Sequence, residues 1–223
     1  MANLHIFTFN LFQEHTMILE SGNSECVVVD PGFYDEKERK EFHDAVAAKG
    51  LKPCAVLITH GHLDHVWGVK DVQDTYGVPV YMNPADKILF DHDTVVSRKL
   101  GLTPPDYGFD ITPVADGDVV KAAGFSFEVI TTPGHTPGGV CWLERGEKMM
   151  FTGDTLFAGT IGRTDLKYGE YDDLIVSIME KLMWLDTDIV ICPGHGGRSD
   201  IGRERTHNPM LEPFNEPEPE SAM

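Results

Sequence analysis

The chain has 223 residues, 41% of them hydrophobic, and carries a formal net charge of −18. A chain of this length and composition can form one globular domain that folds without disulfides or a structural metal. The negative charge disfavours nucleic acid and anionic membranes as partners, and no apolar stretch approaches the roughly 20 residues of a membrane span.

The first predicted elements are three β-strands, over residues 4–12, 16–20 and 25–30. Turn-forming residues separate them, which is typical of an antiparallel meander. The first twelve residues, MANLHIFTFNLF, lack a basic segment followed by a long apolar block, so we interpret them as a strand and not as a signal peptide. None of the four cysteines forms a CxxC pair, which favours a reducing compartment. We therefore expect a cytoplasmic protein.

Helices and strands alternate through the next segment. Helices are predicted over residues 34–50, 66–77 and 84–90, and strands over 53–59 and 78–83. Residues 91–117 are rich in proline, glycine and aspartate. They are predicted to form a long loop, which either borders a functional site or is a solvated connection.

The second half repeats the pattern of strands followed by a helix. Strands are predicted over residues 118–122, 125–132, 139–144, 148–154 and 188–195, and an amphipathic helix over 172–185 with Asp172 as its N-cap. This repetition indicates two similar β/α halves within one domain, residues 1–209. Residues 210–223 are rich in proline and glutamate and are predicted to be a disordered tail.

Ligand-type side chains occur where predicted strands end. Four segments share a glycine-containing turn directly after a strand: LITHGHLDH at 57–65, TTPGHTPGG at 131–139, MFTGDTLFAG at 150–159 and ICPGHGG at 191–197. Such turns place side chains on a rigid scaffold and let backbones approach closely. Histidine and carboxylate together suit zinc, iron or manganese, so the pattern predicts a metal site.

These four segments, in this order, resemble the metallo-β-lactamase superfamily through HxHxDH, PGHTPGG, GDT and PGHGG. The resemblance extends from VVVDPG at 27–32 to RERTHNP at 203–209 and covers nearly the whole chain. It implies a single-domain α/β fold, the four-layer αββα sandwich, with metals at one edge of the two sheets.

The resemblance also implies a role for each ligand-type residue. One divalent metal would be held by His60, His62 and His135, a second by Asp64, His65 and His195, with Asp154 bridging the two. Asp30 is implied beside the site as a residue that orients ligands. The expected cofactors are two divalent ions, zinc first, with iron and manganese as alternatives.

A two-metal site of this kind implies hydrolysis. A hydroxide between the metals would attack a carbonyl that one metal polarises, so no serine or cysteine nucleophile is needed. Thioesters suit this chemistry because the thiolate leaving group, with a pKa of about 8.5, departs without a proton donor. Asp64 is the candidate that accepts the proton from water.

Residues 153–178 and 193–209 resemble the hydroxyacylglutathione hydrolase (glyoxalase II)-like branch, in its short form without the C-terminal glutathione-binding domain. The resemblance implies an enzyme that hydrolyses small-molecule thioesters, with glutathione as one candidate carrier. Arg163 and Lys167 follow Asp154 closely and could hold a substrate carboxylate. The alternative for both is an ordinary surface charge or a structural salt bridge.

The same resemblance is compatible with other functions of this fold. An iron-dependent persulfide dioxygenase of the same fold has a similar GRTD segment and would bind one iron through His60, His135 and Asp154. A β-lactamase is disfavoured because no export signal is visible and because many β-lactamases have cysteine where this chain has Asp154. A non-catalytic protein is disfavoured because all seven ligand residues are present.

Overall fold

Two six-stranded β-sheets form the centre of the molecule in the computed structural model, which describes residues 2–215. The first sheet consists of β1 (Asn3–Phe9), β2 (Glu14–Glu20), β3 (Glu25–Val29), β4 (Lys52–Leu57), β5 (Val80–Met82) and β6 (Ile111–Pro113). β1, β2 and β3 pair in antiparallel fashion, as the predicted meander requires, whereas β3 to β6 run parallel.

The second sheet has its strands in chain order as well. It consists of β7 (Val119–Ala122), β8 (Phe125–Thr131), β9 (Val140–Glu144), β10 (Met149–Gly153), β13 (Val190–Pro193) and β14 (Ser199–Asp200), while β11 (Leu156–Phe157) and β12 (Thr160–Ile161) form a separate hairpin. β8, β10 and β13 point the same way, so their carboxyl ends meet at one edge.

Helices cover the outer faces of both sheets. Their bounds are α1 (Glu36–Lys49), α2 (Leu63–Val66), α3 (Val69–Tyr76), α4 (Lys87–Lys99), α5 (Tyr171–Ser177) and α6 (Ile201–His207). The shorter helical turns are a 3₁₀ turn at Pro84–Asp86, a π turn at Ile178–Leu182 and a 3₁₀ turn at Pro209–Phe214. α1 begins at its cap Asp35, which accepts from Glu38 N, and ends at Gly50 in the left-handed conformation (φ 65°).

The strand side chains alternate between layers, and this alternation builds the sandwich. In β2, Ile18 packs towards α1 and α3, whereas Met17 and Leu19 pack between the sheets. In β9, Trp142 faces the other sheet and Leu143 packs towards α5. Both faces of each sheet are therefore buried, and the predicted αββα architecture is confirmed.

Three local predictions were wrong. Residues 91–99 belong to α4 and not to a loop, because the buried face of this helix carries Asp93 and Ser97 beside Leu89 and so lacks apolar periodicity. The helix predicted over 172–185 begins after Glu170, so Asp172 lies inside its first turn, and the helix changes to a π turn at Ile178.

The C-terminal boundary also differs from the predicted one. The tail was predicted to begin at residue 210, whereas the 3₁₀ turn continues to Phe214 and buries Leu211 in the core. Residues 216–223 of the predicted tail lie outside the described residues. A search of residues 2–215 finds no helix with the length and hydropathy needed to span a bilayer.

Candidate metal centre

The predicted ligands come together where the carboxyl ends of strands from both sheets meet. His60, His62, Asp64 and His65 follow β4 in the first sheet, His135 follows β8, Asp154 follows β10 and His195 follows β13 in the second sheet. Residues separated by up to 135 positions therefore lie close together.

His60, His62 and His135 form the first group of ligand atoms. One nitrogen from each lies within 4.8 Å of the others. His62 faces the group through Nδ1, which lies 2.9 Å from His135 Nε2. His60 and His135 are buried, with exposed fractions of 2% and 4%. The group is therefore a compact set of imidazole nitrogens with little access to water.

Asp64, His65 and His195 form the second group, whose ligand atoms also lie within 4.8 Å of one another. His195 Nε2 lies 3.3 Å from both Asp64 Oδ2 and His65 Nε2. Asp154 lies between the two groups: Oδ1 is 3.5 Å from His65 Nε2, and Oδ2 is 3.7 Å from His135 Nε2 and 3.6 Å from His195 Nε2. Its carboxylate therefore faces histidines of both groups.

Acceptors on the far side of the imidazoles fix which nitrogen is protonated. His65 Nδ1 donates to Asp30 Oδ2 (3.0 Å), His135 Nδ1 to the Arg163 carbonyl (2.7 Å) and His195 Nδ1 to the Phe12 carbonyl (3.1 Å). In each neutral ring the Nε2 lone pair is then free and points into the cluster. Asp30 is held in turn by Thr59, whose backbone N–H and hydroxyl donate to it at 2.7 and 2.5 Å.

The charges of the cluster are set by burial and by its neighbours. Burial, reinforced by His135, lowers the pKa of His62 to about 3, so this imidazole is neutral at physiological pH. Burial raises the pKa of Asp154, but the nearby His65 and His135 outweigh it and hold that pKa below its usual value. Burial also holds the pKa of His60 well below its usual value, so His60 and His62 are neutral and Asp154 is ionised, the states in which these groups bind metals. The carboxylates of Asp64 and Asp154 outweigh burial at His65 and raise its pKa, which indicates that this imidazole shares a strongly anionic site.

The donor set fits divalent metal ions. Among the described residues, the buried atoms His60 Nε2 and Asp154 Oδ1 have no hydrogen-bond partner, which is costly unless a cation binds them. Gly194 permits this close packing, because a Cβ at that position would lie 2.5 Å from His65 Cε1 and 2.6 Å from Asp154 Oδ1. Nitrogen and carboxylate oxygen together suit zinc, iron or manganese.

Asp86, which the sequence analysis did not select, joins the two loops that carry the first histidine group. Its Oδ2 accepts from Gly61 N and Thr136 Oγ1, both at 2.8 Å, and its Oδ1 accepts from Gly138 N at 2.5 Å. Gly61 lies between His60 and His62, and Thr136 follows His135. The buried carboxylate therefore acts as a clasp between the loops. The turn signal NPAD at 83–86 indicates a turn there but not this role.

A cleft of about 450 Å³ opens over the cluster, between α4 and residues 163–167. Arg163 and Lys167 both line it, but Arg163 Nε and Nη2 donate to the two carboxylate oxygens of Asp165 at 2.7 Å each. Lys167 Nζ lies 4.7 Å from the centre of the Tyr168 ring. Of the two predicted carboxylate-binding cations, Arg163 is thus already neutralised.

His92 also lines this cleft, and the sequence analysis did not select it. Its Nδ1 donates to Asp93 Oδ1 at 3.0 Å, and Asp93 Oδ2 accepts from Leu63 N at 3.2 Å. Because the buried face of α4 carries Asp93 and Ser97, the apolar spacing offers no signal that places His92 beside the site.

Comparison with known proteins agrees with this geometry. The family model described as "Metallo-beta-lactamase superfamily" matches residues 10–195. The chain is 36% identical over 215 residues to the hydroxyacylglutathione hydrolase GloC of Haemophilus influenzae, covering 94% of this chain and 98% of that protein.

Two solved structures are similar as well. The B3 metallo-β-lactamase BLEG-1 superimposes with a TM-score of 0.86 at 30% identity, covering 93% of this chain and 98% of that one. TTHA1623, solved in a di-iron-bound form, superimposes with a TM-score of 0.81 at 32% identity, covering 92% and 98%.

Proposed function

The chain belongs to the metallo-β-lactamase superfamily, a superfamily of metallo-hydrolases, and we propose that it is a metal-dependent thioester hydrolase of the hydroxyacylglutathione hydrolase type. The observation that carries the proposal is the convergence of seven ligand-type side chains, five of which line one cleft. The similarity to GloC supports thioesters, and glutathione-derived ones in particular, as the substrate class.

In this proposal the two groups of ligand atoms hold two divalent ions. His60, His62 and His135 would hold one, Asp64, His65 and His195 the other, and Asp154 would contact both. Support comes from the positions of the Asp154 oxygens, which face histidines of both groups at 3.5–3.7 Å. Asp30 would orient His65 without binding metal, because its oxygens already accept from Thr59 and His65.

The bound ions would polarise the thioester carbonyl and lower the pKa of a water molecule. We assign proton acceptance to Asp64, since it lines the cleft and contacts histidines of the second group only. A cysteine nucleophile is not part of the proposal, because burial raises the pKa of the Cys141 and Cys192 thiols to about 12. The cysteines within residues 2–215 are free thiols, in keeping with a cytoplasmic location.

The test is hydrolysis of S-lactoylglutathione and of simple acyl thioesters by metal-loaded protein. The double variant His60→Ala, Asp154→Ala is expected to lose both activity and stoichiometric metal, measured by elemental analysis. A matched control is His5→Ala, Glu20→Ala, which removes a histidine–carboxylate pair of 2.8 Å between the edge strand β1 and its neighbour β2. Activity that survives in the first variant would refute the proposal.

Two similarities single out other activities. Because BLEG-1 is described as a B3 metallo-β-lactamase, nitrocefin should be assayed in parallel. We expect its turnover to be slow compared with that of thioesters, and efficient turnover would favour β-lactam hydrolysis over thioester hydrolysis.

Because TTHA1623 was solved in a di-iron-bound form, the persulfide dioxygenase alternative should be tested with iron-loaded protein. Oxygen consumption with glutathione persulfide would favour it, and two metal ions per chain without oxygen uptake would favour hydrolysis.

A further inference from the structure

The walls of the cleft carry apolar side chains directly above the metal centre. Val96 projects from α4 and Leu100 from its C-cap, Leu166 from the opposite segment, and Phe12 from the turn between β1 and β2. Leu100 is 57% exposed, and Leu166 and Phe12 are each 39% exposed. Apolar groups that stay exposed at the mouth of a cleft are typical of a ligand-binding surface.

Phe12 is fixed relative to the metal centre. Its carbonyl accepts from His195 Nδ1 at 3.1 Å, and its ring stacks on Trp67 at a centroid distance of 6.1 Å. Trp67 is held in turn, because its Nε1 donates to the Thr103 carbonyl at 2.9 Å and its ring packs edge-on against Tyr34. The apolar wall is therefore preorganised, and its occupant would reach the ligand cluster directly.

The charges in the cleft do not suit a highly anionic carrier. Asp93 adds a carboxylate on the α4 side of the cleft, and Asp165 pairs with Arg163. Among the described residues that line the cleft, Lys167 is then the lysine or arginine for which no carboxylate partner is seen. A substrate with several carboxylates would find this one side-chain cation, whereas a substrate with a hydrocarbon group would meet apolar side chains on both sides of the cleft.

We propose that the natural substrate is a thioester that carries an apolar hydrocarbon group, seated between α4 and residues 163–167 against Leu100, Leu166 and Phe12. This inference rests on the proposed thioester hydrolysis and names the class of thioester. The hydrocarbon group is attached to the carbonyl or to the sulfur, and both attachments present the same chemistry to the wall.

The test uses two series of thioesters and the metal-loaded protein. In one, acyl chains of two to eight carbons are joined to N-acetylcysteamine; in the other, alkyl thiols of increasing length carry an acetyl group. In one series kcat/KM should rise about two- to fourfold per methylene, until the cleft is filled. The responding series identifies the side of the bond that binds the wall.

Two variants distinguish binding of the hydrocarbon group by the apolar side chains from a general loss of activity. Leu100→Ser, Leu166→Ser should flatten the dependence of kcat/KM on chain length, with the largest loss for the longest chain, while the metal content measured by elemental analysis matches that of the parent. Ile88→Ser is the matched control, because Ile88 is 50% exposed on the same helix and does not line the cleft. Hydrolysis with no length dependence in either series overturns this inference alone. No hydrolysis of any thioester overturns the proposed function and this inference with it.

Discussion

Replacing Asp86 by alanine should weaken metal binding at the first histidine group without removing a ligand. The carboxylate links Gly61 N, Thr136 Oγ1 and Gly138 N at 2.5–2.8 Å, and the substitution leaves these buried donors without their acceptor. At roughly 1 kcal/mol each, the loss of unfolding free energy is about 3 kcal/mol. Loss of a group that orients ligands typically lowers metal affinity 10- to 100-fold, and we expect a decrease in that range.

The assay is titration of metal-free protein with Co²⁺ in competition with a chelator, followed by the visible spectrum, together with thermal melting. Glu204→Ala is the matched control, because Glu204 is also buried and accepts from Gly159 N and Asn208 Nδ2 at 2.8 Å and from Ser199 Oγ at 2.5 Å. It should lose similar stability and keep its metal affinity.

The two variants together decide between a clasp and general destabilisation. If Asp86→Ala binds both ions as tightly as the parent, the clasp interpretation is wrong. It is also wrong if Glu204→Ala loses as much affinity, since metal binding would then follow overall stability. Selective loss of one of two ions per chain in Asp86→Ala would support the assignment of the first histidine group to a separate ion.

Three further predictions concern single residues. Gly194→Ala should lose bound metal, measured by elemental analysis, because its Cβ would overlap His65 and Asp154; retention of two ions would contradict this. Burial raises the pKa of Glu14 well above its usual value, so the stability that this group contributes is complete below the unfolded pKa of about 4.3 and is lost as pH rises through the folded pKa. Glu14→Gln should therefore raise Tm at pH 8 by roughly 2–4 °C and change it little at pH 5, and an equal shift at both pH values would be inconsistent with this reasoning. Asp165→Asn should free the Arg163 side chain and raise kcat/KM for S-lactoylglutathione severalfold relative to an uncharged thioester; an unchanged ratio would show that Arg163 does not reach the substrate.

The sequence was most informative where one local pattern determines one structural outcome. The apolar runs in β2 and β9 predict buried strands because successive side chains enter the two layers on either side of the sheet. The ligand segments were found for a similar reason, because each segment comes after a predicted strand and the end of that strand places it at the edge of a sheet.

The sequence was least informative where a buried polar group meets partners from distant segments. Asp86 contacts residues 25 and 52 positions away, and the residues near it in the chain do not predict these contacts. α4 was missed because Asp93 and Ser97 face inward, where the apolar pattern of a helix is normally expected. The pairing of Arg163 with Asp165 could not be predicted for a different reason, since a salt bridge between residues two positions apart depends on the conformation of the turn that carries them.

The division of the ligand set between the two sheets has a consequence for how the halves hold together. The segment that joins the sheets, residues 114–118, crosses from β6 to β7, and each side of it carries only part of the ligand cluster. Cleavage there would yield two fragments. Under the proposed assignment neither fragment would carry the full ligand set of either ion, because Asp64 and His65 would be separated from His195, and His60 and His62 from His135. The apolar core between the sheets would bring the fragments together, and divalent cations would strengthen that association by completing both ligand sets.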